Sequence, residues 1–256
     1  MYDVDPDGVV LLARFVGGLP TKRSKKVTTR GLAKTLPHKS VRHKNGVGAG
    51  SIGRALVVAN GDLPGIELLE VALGKSDFVL AADGGASSLI SAGIVPNAVL
   101  GDFDSLTTDL PDSVLRVPAP DQDFTDLDKA VAWLIDAGAS SIAMTGVTGD
   151  RLDHTFGALA VLAKYGRRVP LTLLDQIGTA HLVAGELELG SHPGQTVSLM
   201  PLGHVEGVTT AGLKWPLAGE SLAPGVRDGT SNLAVSGRIV IQVGAGDLIV
   251  YLHHGR

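Results

Sequence analysis

The sequence predicts a parallel-sheet α/β domain, then an all-β sandwich, behind a disordered basic N-terminal arm. Three observations predict this. Strand-like and helix-like stretches alternate through residues 54–177, the order that builds a parallel sheet with helices on both faces. Across 178–256 the helical period is gone, and short β-like runs are punctuated by Gly, Pro or Ser. Residues 17–53, within the arm of 1–53, are rich in Gly, Lys, Ser and Thr and hold no sustained period.

The arm is also set apart by charge. Residues 1–50 carry ten Lys/Arg against three Asp, whereas the rest carries 12 Lys/Arg against 23 Asp/Glu, within a total of −4. So few apolar residues there can build a core that a solvated arm is expected, and nucleic acid is not an expected partner. Gly48-Ala49-Gly50-Ser51-Ile52-Gly53 matches G-x-G-x-x-G. A dinucleotide fingerprint must follow a strand and open a helix; here a polar stretch precedes it and a strand follows, so the match is accidental. The 256 residues contain no cysteine, which excludes disulfides, a thiol nucleophile and cysteine-bound zinc, and accords with the cytoplasm. No run of 18 uncharged apolar residues predicts a membrane span. Leu11-Leu12 follow Asp3, Asp5 and Asp7 rather than a cationic lead-in, so no secretory signal is expected.

Within the first domain, Leu56–Ala59 reads as a buried strand. Ile66, Leu69 and Leu73 mark a helix behind Pro64-Gly65, and Phe78–Leu80 a second strand. Ala86–Ala92 reads as a short helix stopped by Gly93, and Val99-Leu100 as a third strand end. Leu127, Val131, Leu134 and Ile135 define an amphipathic helix closed by Gly138. Ile142–Met144, Thr155–Lys164 and Leu171–Leu174 continue as strand, helix and strand. The second domain offers β-like runs at Leu187–Leu189, Thr196–Met200, Val205–Thr209, Leu233–Val235, Ile239–Val243 and Leu248–Leu252.

Four acidic clusters fall near strand ends, where open parallel sheets hold ligands. Asp83-Gly84-Gly85 brings two glycines before a helix, which suits phosphate but is also a common turn. In Gly101-Asp102-Phe103-Asp104-Ser105 an extended backbone would turn both carboxylates to one side, able to share a divalent cation; turn-forming aspartates are the other reading. Asp121-Gln122-Asp123-Phe124-Thr125-Asp126 precedes the amphipathic helix, and Thr125 or Asp123 can cap it. Gly146–His154 adds a glycine-rich turn and Arg151, suited to bidentate phosphate binding, while His154 reads as structural. Carboxylates for Mg²⁺, glycines for phosphate and one arginine compose a phosphoryl-transfer site.

These clusters, in this order from about Leu56 to the C-terminus, resemble the thiamine pyrophosphokinase family. Val208–Leu217 and Gly229-Thr230-Ser231-Asn232 look like its vitamin-site motifs. The resemblance implies an ATP- and Mg²⁺-binding α/β domain, a thiamine-binding β-sandwich, and a homodimer with active sites between subunits. It implies Asp83, Asp102, Asp104 and Asp126 around Mg²⁺, with Asp102, Asp104, Asp126 and Arg151 as the catalytic set. It implies Gly84, Gly85, Gln122, Thr125, Arg151 and Asp153 beside Asp83 for ATP, and Trp215, Ser231 and Asn232 for thiamine. A flat indole can stack on a pyrimidine whose edge Ser231 and Asn232 can hydrogen-bond, although Trp215 is also readable as core. Asp150 replaces a second glycine common in the family, and Leu233 an acid found in many bacterial members.

The implied reaction moves pyrophosphate from ATP to the thiamine hydroxyl, giving thiamine diphosphate and AMP, with Asp126 either orienting the hydroxyl or bound to the metal. The alternatives are a pyrophosphokinase of the same fold acting on another alcohol, such as a hydroxymethyl pterin, and a non-catalytic nucleotide or thiamine sensor.

Overall fold

The computed structural model describes residues 52–255 apart from Ser105, Thr107, Asp150 and Asp228. The expected arm before Ile52 and the departure at Asp150 lie outside the described residues. The chain divides into two units between Gln176 and Ile177.

The first unit is a six-stranded parallel sheet. Its strands are β1 (Gly53–Val58), β2 (Phe78–Ala82), β3 (Ala98–Gly101), β4 (Leu115–Pro118), β5 (Ala139–Thr145) and β6 (Leu171–Leu174). They lie in the order β6-β5-β1-β2-β3-β4, and every pair is parallel. β1 is central because Leu56, Val57 and Val58 are wholly buried, as a strand covered on both faces requires. Side chains alternate, so successive residues feed opposite layers. Leu56, Val58, Val79 and Ala81 pack with Ala72 of α1 (Ile66–Lys75) and Ala86 and Leu89 of α2 (Gly85–Ser91). Phe78 instead meets Trp133 of α3 (Asp126–Asp136), ring centroids 6.1 Å apart. Leu127, Ala130, Val131 and Leu134 form the buried stripe of α3, at helical spacing. The last helix is α4 (Leu152–Tyr165). The chain leaves β4 at one edge and re-enters at β5 beside β1, so the topological switch lies between β1 and β5.

The second unit contains two antiparallel sheets. One runs β12-β9-β14-β7, from Gly229–Leu233, Thr196–Pro201, Leu248–His253 and Gly178–Val183. The other runs β11-β10-β13-β8, from Ala218–Leu222, Val205–Ala211, Arg238–Gln242 and Glu186–Gly190. Val183, Val197, Leu199 and Val250 of the first join Leu189, Val208, Ile239 and Ile241 of the second in one core. That is the expected sandwich. No helix among the described residues is long and apolar enough to cross a membrane.

Four strand assignments differ from expectation. β4 was not expected: it is an edge strand of largely exposed side chains and carries no alternation. β7 is buried throughout yet contains Thr179 and His181, which break an apolar run. β11, Ala-Gly-Glu-Ser-Leu, is buried only at its last residue, Leu222. The run expected at Leu233–Val235 lies four residues earlier, as β12, with a register shift between Gly229 and Asn232 that a period-of-two reading cannot see.

Burial pushes the His181 imidazole down from 6.5 to about 4. The unfolded chain therefore binds more protons than the folded one between these values, so stability is full above pH 6.5 and is lost as pH falls towards 4. The shift corresponds to roughly 3 kcal/mol. His181→Leu should flatten urea-denaturation stability across that window; an unchanged slope would assign the acid sensitivity elsewhere.

Candidate active site

Asp83 follows β2 in a left-handed conformation, φ 42°, and is only 8% exposed. Its amide donates to the Leu100 carbonyl at 2.8 Å, tying the end of β2 to β3. The adjoining Gly101 has to be glycine: a Cβ there would stand 2.9 Å from Cβ of Asp83. Gly85, expected to face ATP, has a packing reason of its own, since its Cβ would lie 2.2 Å from the Val58 carbonyl oxygen. Gly84 is the cap residue of α2.

Beyond β3, the expected extended geometry is not what joins Asp102 to Asp104. Phe103 is left-handed, φ 66°, and the Asp104 amide donates back to Asp102 Oδ1 at 3.2 Å. The segment is a turn, and the turn converges the acids: ligand oxygens of Asp83, Asp102 and Asp104 lie within 4.8 Å of one another. Gln122 Nε2 donates to Asp102 Oδ2 at 3.2 Å and to the Pro120 carbonyl at 3.4 Å. The Asp104 amide first, then Gln122 and the charge of Lys129, hold the Asp102 carboxyl below its ordinary range.

Asp126 is not in that carboxylate group. It ion-pairs with Lys129 at 2.7 Å, one helical turn along α3, and its oxygens lie outside the cluster that Asp83, Asp102 and Asp104 form. Thr125 caps α3 by accepting from the Asp128 amide at 3.2 Å, so its hydroxyl has a structural duty. Lys129 was missed, although its spacing from Asp126 was a signal. Asn60-Gly61-Asp62 were missed too. They leave β1 at the switch point, where Gly61 donates to the Gly146 carbonyl at 2.6 Å and Asp62 to that of Thr148 at 2.8 Å.

At the start of α4, Arg151 Nε donates to Asp153 Oδ1 at 3.0 Å, and the guanidinium lowers the Asp153 carboxyl to about 2. The two expected ATP contacts are therefore partners of one another. His154 is exposed, and Leu152 and Phe156 are 86% and 66% exposed on the same helix.

In the β unit, Trp215 is 54% exposed, which removes the core reading. The Lys214 ammonium lies 4.7 Å from its ring centroid. Asn232 is 6% exposed and clamps the Trp215 backbone: Oδ1 accepts from the Trp215 amide at 3.2 Å and Nδ2 donates to its carbonyl at 2.8 Å. Oδ1 also accepts from the Leu233 amide at 2.8 Å. Asn232 therefore braces the indole from behind. Ser231 is exposed and left-handed, φ 58°, with its amide donating to Ser198 Oγ at 3.1 Å. Asn232→Ala should cost about 1–3 kcal/mol by stranding partly buried backbone groups of Trp215 and Leu233; thermal melting measures it, and an unchanged midpoint would free Asn232 from the bracing role.

Residues 69–173 match the family model for the thiamin pyrophosphokinase catalytic domain, and residues 185–248 that for its vitamin B1 binding domain. The chain is 30% identical over 222 residues to thiamine pyrophosphokinase 2 of Arabidopsis thaliana, covering 73% of this chain and 82% of that protein. It is 28% identical over 181 residues to thiamine pyrophosphokinase of Bacillus subtilis, covering 67% and 85%. The crystal structure of the Bacillus subtilis protein superposes with a TM-score of 0.68 at 25% identity, covering 80% of this chain and all (100%) of that one. Yeast thiamin pyrophosphokinase shares the fold, with a TM-score of 0.68 at 18% identity, covering 84% and 89%.

Proposed function

The chain belongs to the thiamine pyrophosphokinase family, and on that premise we propose that it transfers pyrophosphate from ATP to the hydroxyl of thiamine, releasing AMP. The observation that carries this reading is the convergence of Asp83, Asp102 and Asp104 at the ends of β2 and β3. Three carboxylate oxygens so close repel one another unless a cation neutralises them, and hard oxygen donors of this kind suit Mg²⁺. A divalent cation held there would neutralise charge on the phosphate oxygens.

The remaining roles fall to the chain's own side chains. Gln122, hydrogen-bonded to Asp102, lines the ATP side together with Asp83, Gly84, Gly85 and Thr125. Arg151 meets phosphate oxygens, for which it exchanges its bond to Asp153. Trp215 offers one face of its ring to the thiamine pyrimidine, Ser231 contacts the ring edge, and Asn232 fixes the indole. Lys214 must leave the ring face that the pyrimidine takes. Asp126, with Oδ1 held by Lys129, orients the thiamine hydroxyl. The hydroxyl oxygen bonds to the β-phosphorus as the bond from that phosphorus to the α,β-bridging oxygen breaks. AMP keeps the bridging oxygen, and the hydroxyl proton passes to solvent. Positioning and charge neutralisation supply the rate. Exposed Leu152 and Phe156 beside Arg151 support a homodimer with active sites at the subunit interface.

Incubation with ATP, Mg²⁺ and thiamine should yield AMP and thiamine diphosphate; ADP as the nucleotide product, or no turnover, would reject the reading. Asp102→Asn or Asp104→Asn should lower kcat by ~10²-fold or more without lowering the ligand-free melting midpoint.

Stacking also sets the size of the Trp215→Ala effect. Losing ~1–3 kcal/mol of stacking corresponds to a roughly 5- to 150-fold rise in thiamine KM, with ATP KM unmoved. Equal shifts in both KM values would take Trp215 out of the vitamin site.

A further inference from the structure

Lys129 is the most fully engaged polar side chain beside the carboxylate group. Its ammonium donates to the carbonyls of Ala119 and Asp121, both at 2.8 Å, and pairs with Asp126 Oδ1 at 2.7 Å. Two of the ammonium's three protons have carbonyl acceptors, and the Asp126 carboxylate lies within ion-pair distance of the same group. The side chain is 13% exposed.

What it binds is a loop. Residues 120–125, between β4 and α3, are exposed at every position, so no buried apolar side chain anchors them. Their conformation depends on polar ties. The Asp123 amide donates to Asp121 Oδ1 at 2.9 Å, and Thr125 caps α3. Lys164, itself paired with Asp128, lies 4.4 Å from the Phe124 ring centroid on the exposed side. Lys129 joins two points at the start of the loop to the first turn of α3 through one group. The loop carries Gln122 to Asp102.

We propose that Lys129 is the positioning residue of this site: it fastens the 119–126 segment so that Gln122 meets Asp102, and it holds Asp126 apart from the three clustered carboxylates. The proposal rests on the family reading for what the site binds, but not for the fastening itself. Lys129→Met keeps most of the stem and removes the ammonium. In the ligand-free full-length chain, exchange of the Asp123 and Asp128 amides, which the loop and its Thr125 cap hold, should rise about tenfold or more while exchange in the β unit stays constant. With ATP, Mg²⁺ and thiamine, kcat/KM for ATP should fall about tenfold or more through the displaced loop. Unchanged exchange overturns the proposal, and so does faster exchange with wild-type ATP kinetics. If the Met variant does not fold, Lys129→Arg decides the same point. A planar guanidinium cannot meet three converging acceptors, so its exchange must rise too, and protected amides there overturn the proposal. A wild-type chain that forms no thiamine diphosphate refutes the family activity, while the exchange comparison still judges the fastening.

Discussion

Like charges resist being gathered, and the α/β unit is organised around holding Asp83, Asp102 and Asp104 together against that resistance. Side-chain bonds alone would let the acids swing apart into water. The constraint is placed in the backbone instead. Asp83 and Phe103 take left-handed conformations, and the Asp83 amide is tied across to Leu100. Gly101 leaves the space that Asp83 occupies. Left-handed backbone in non-glycine residues carries an energetic cost that the surrounding structure must offset. Here β2 and β3, wholly or nearly buried at Leu80, Ala81, Val99 and Leu100, supply the rigid frame.

A second strained residue set appears in the β unit. Among the described residues the non-glycine positive φ angles are at Asp83, Phe103 and Ser231, all within motifs that carry the family resemblance. Ser231 sits in the register shift of β12, next to the asparagine that braces Trp215. In both units non-glycine residues take left-handed backbone within the motifs that carry the family resemblance.

Much of this was legible in the sequence. The apolar strand β1 and the stripe Leu127, Val131, Leu134 announce themselves by period, because burial on a sheet or helix face demands it. Acid clusters at strand ends were visible for the same reason. The turn at Phe103 was not, since two aspartates separated by one residue can converge by extension or by a reversal, and only the φ angle distinguishes them. The bracing role of Asn232 was hidden for a related reason: an amide side chain looks alike in sequence whether it faces a ligand or its own backbone. Lys129 escaped notice because its carbonyl partners, Ala119 and Asp121, lie in a loop whose path no periodicity encodes.

The strand order has a consequence for how the chain becomes native. β1 lies between β2 and β5, and its register joins Gly53 to Ala139. As the polypeptide leaves the ribosome, β1 can recruit β2, then β3 and β4, but one of its edges stays open until β5 emerges. The acid-bearing strand ends can therefore pair first, on a half-built sheet with an unpaired apolar margin. Closure by β5 and β6 joins the Gly146 loop to the Asn60–Asp62 segment at the end. Nascent chains halted before Ala139 consequently hold the carboxylate half of the site on a surface prone to association, and the late strand serves as its seal.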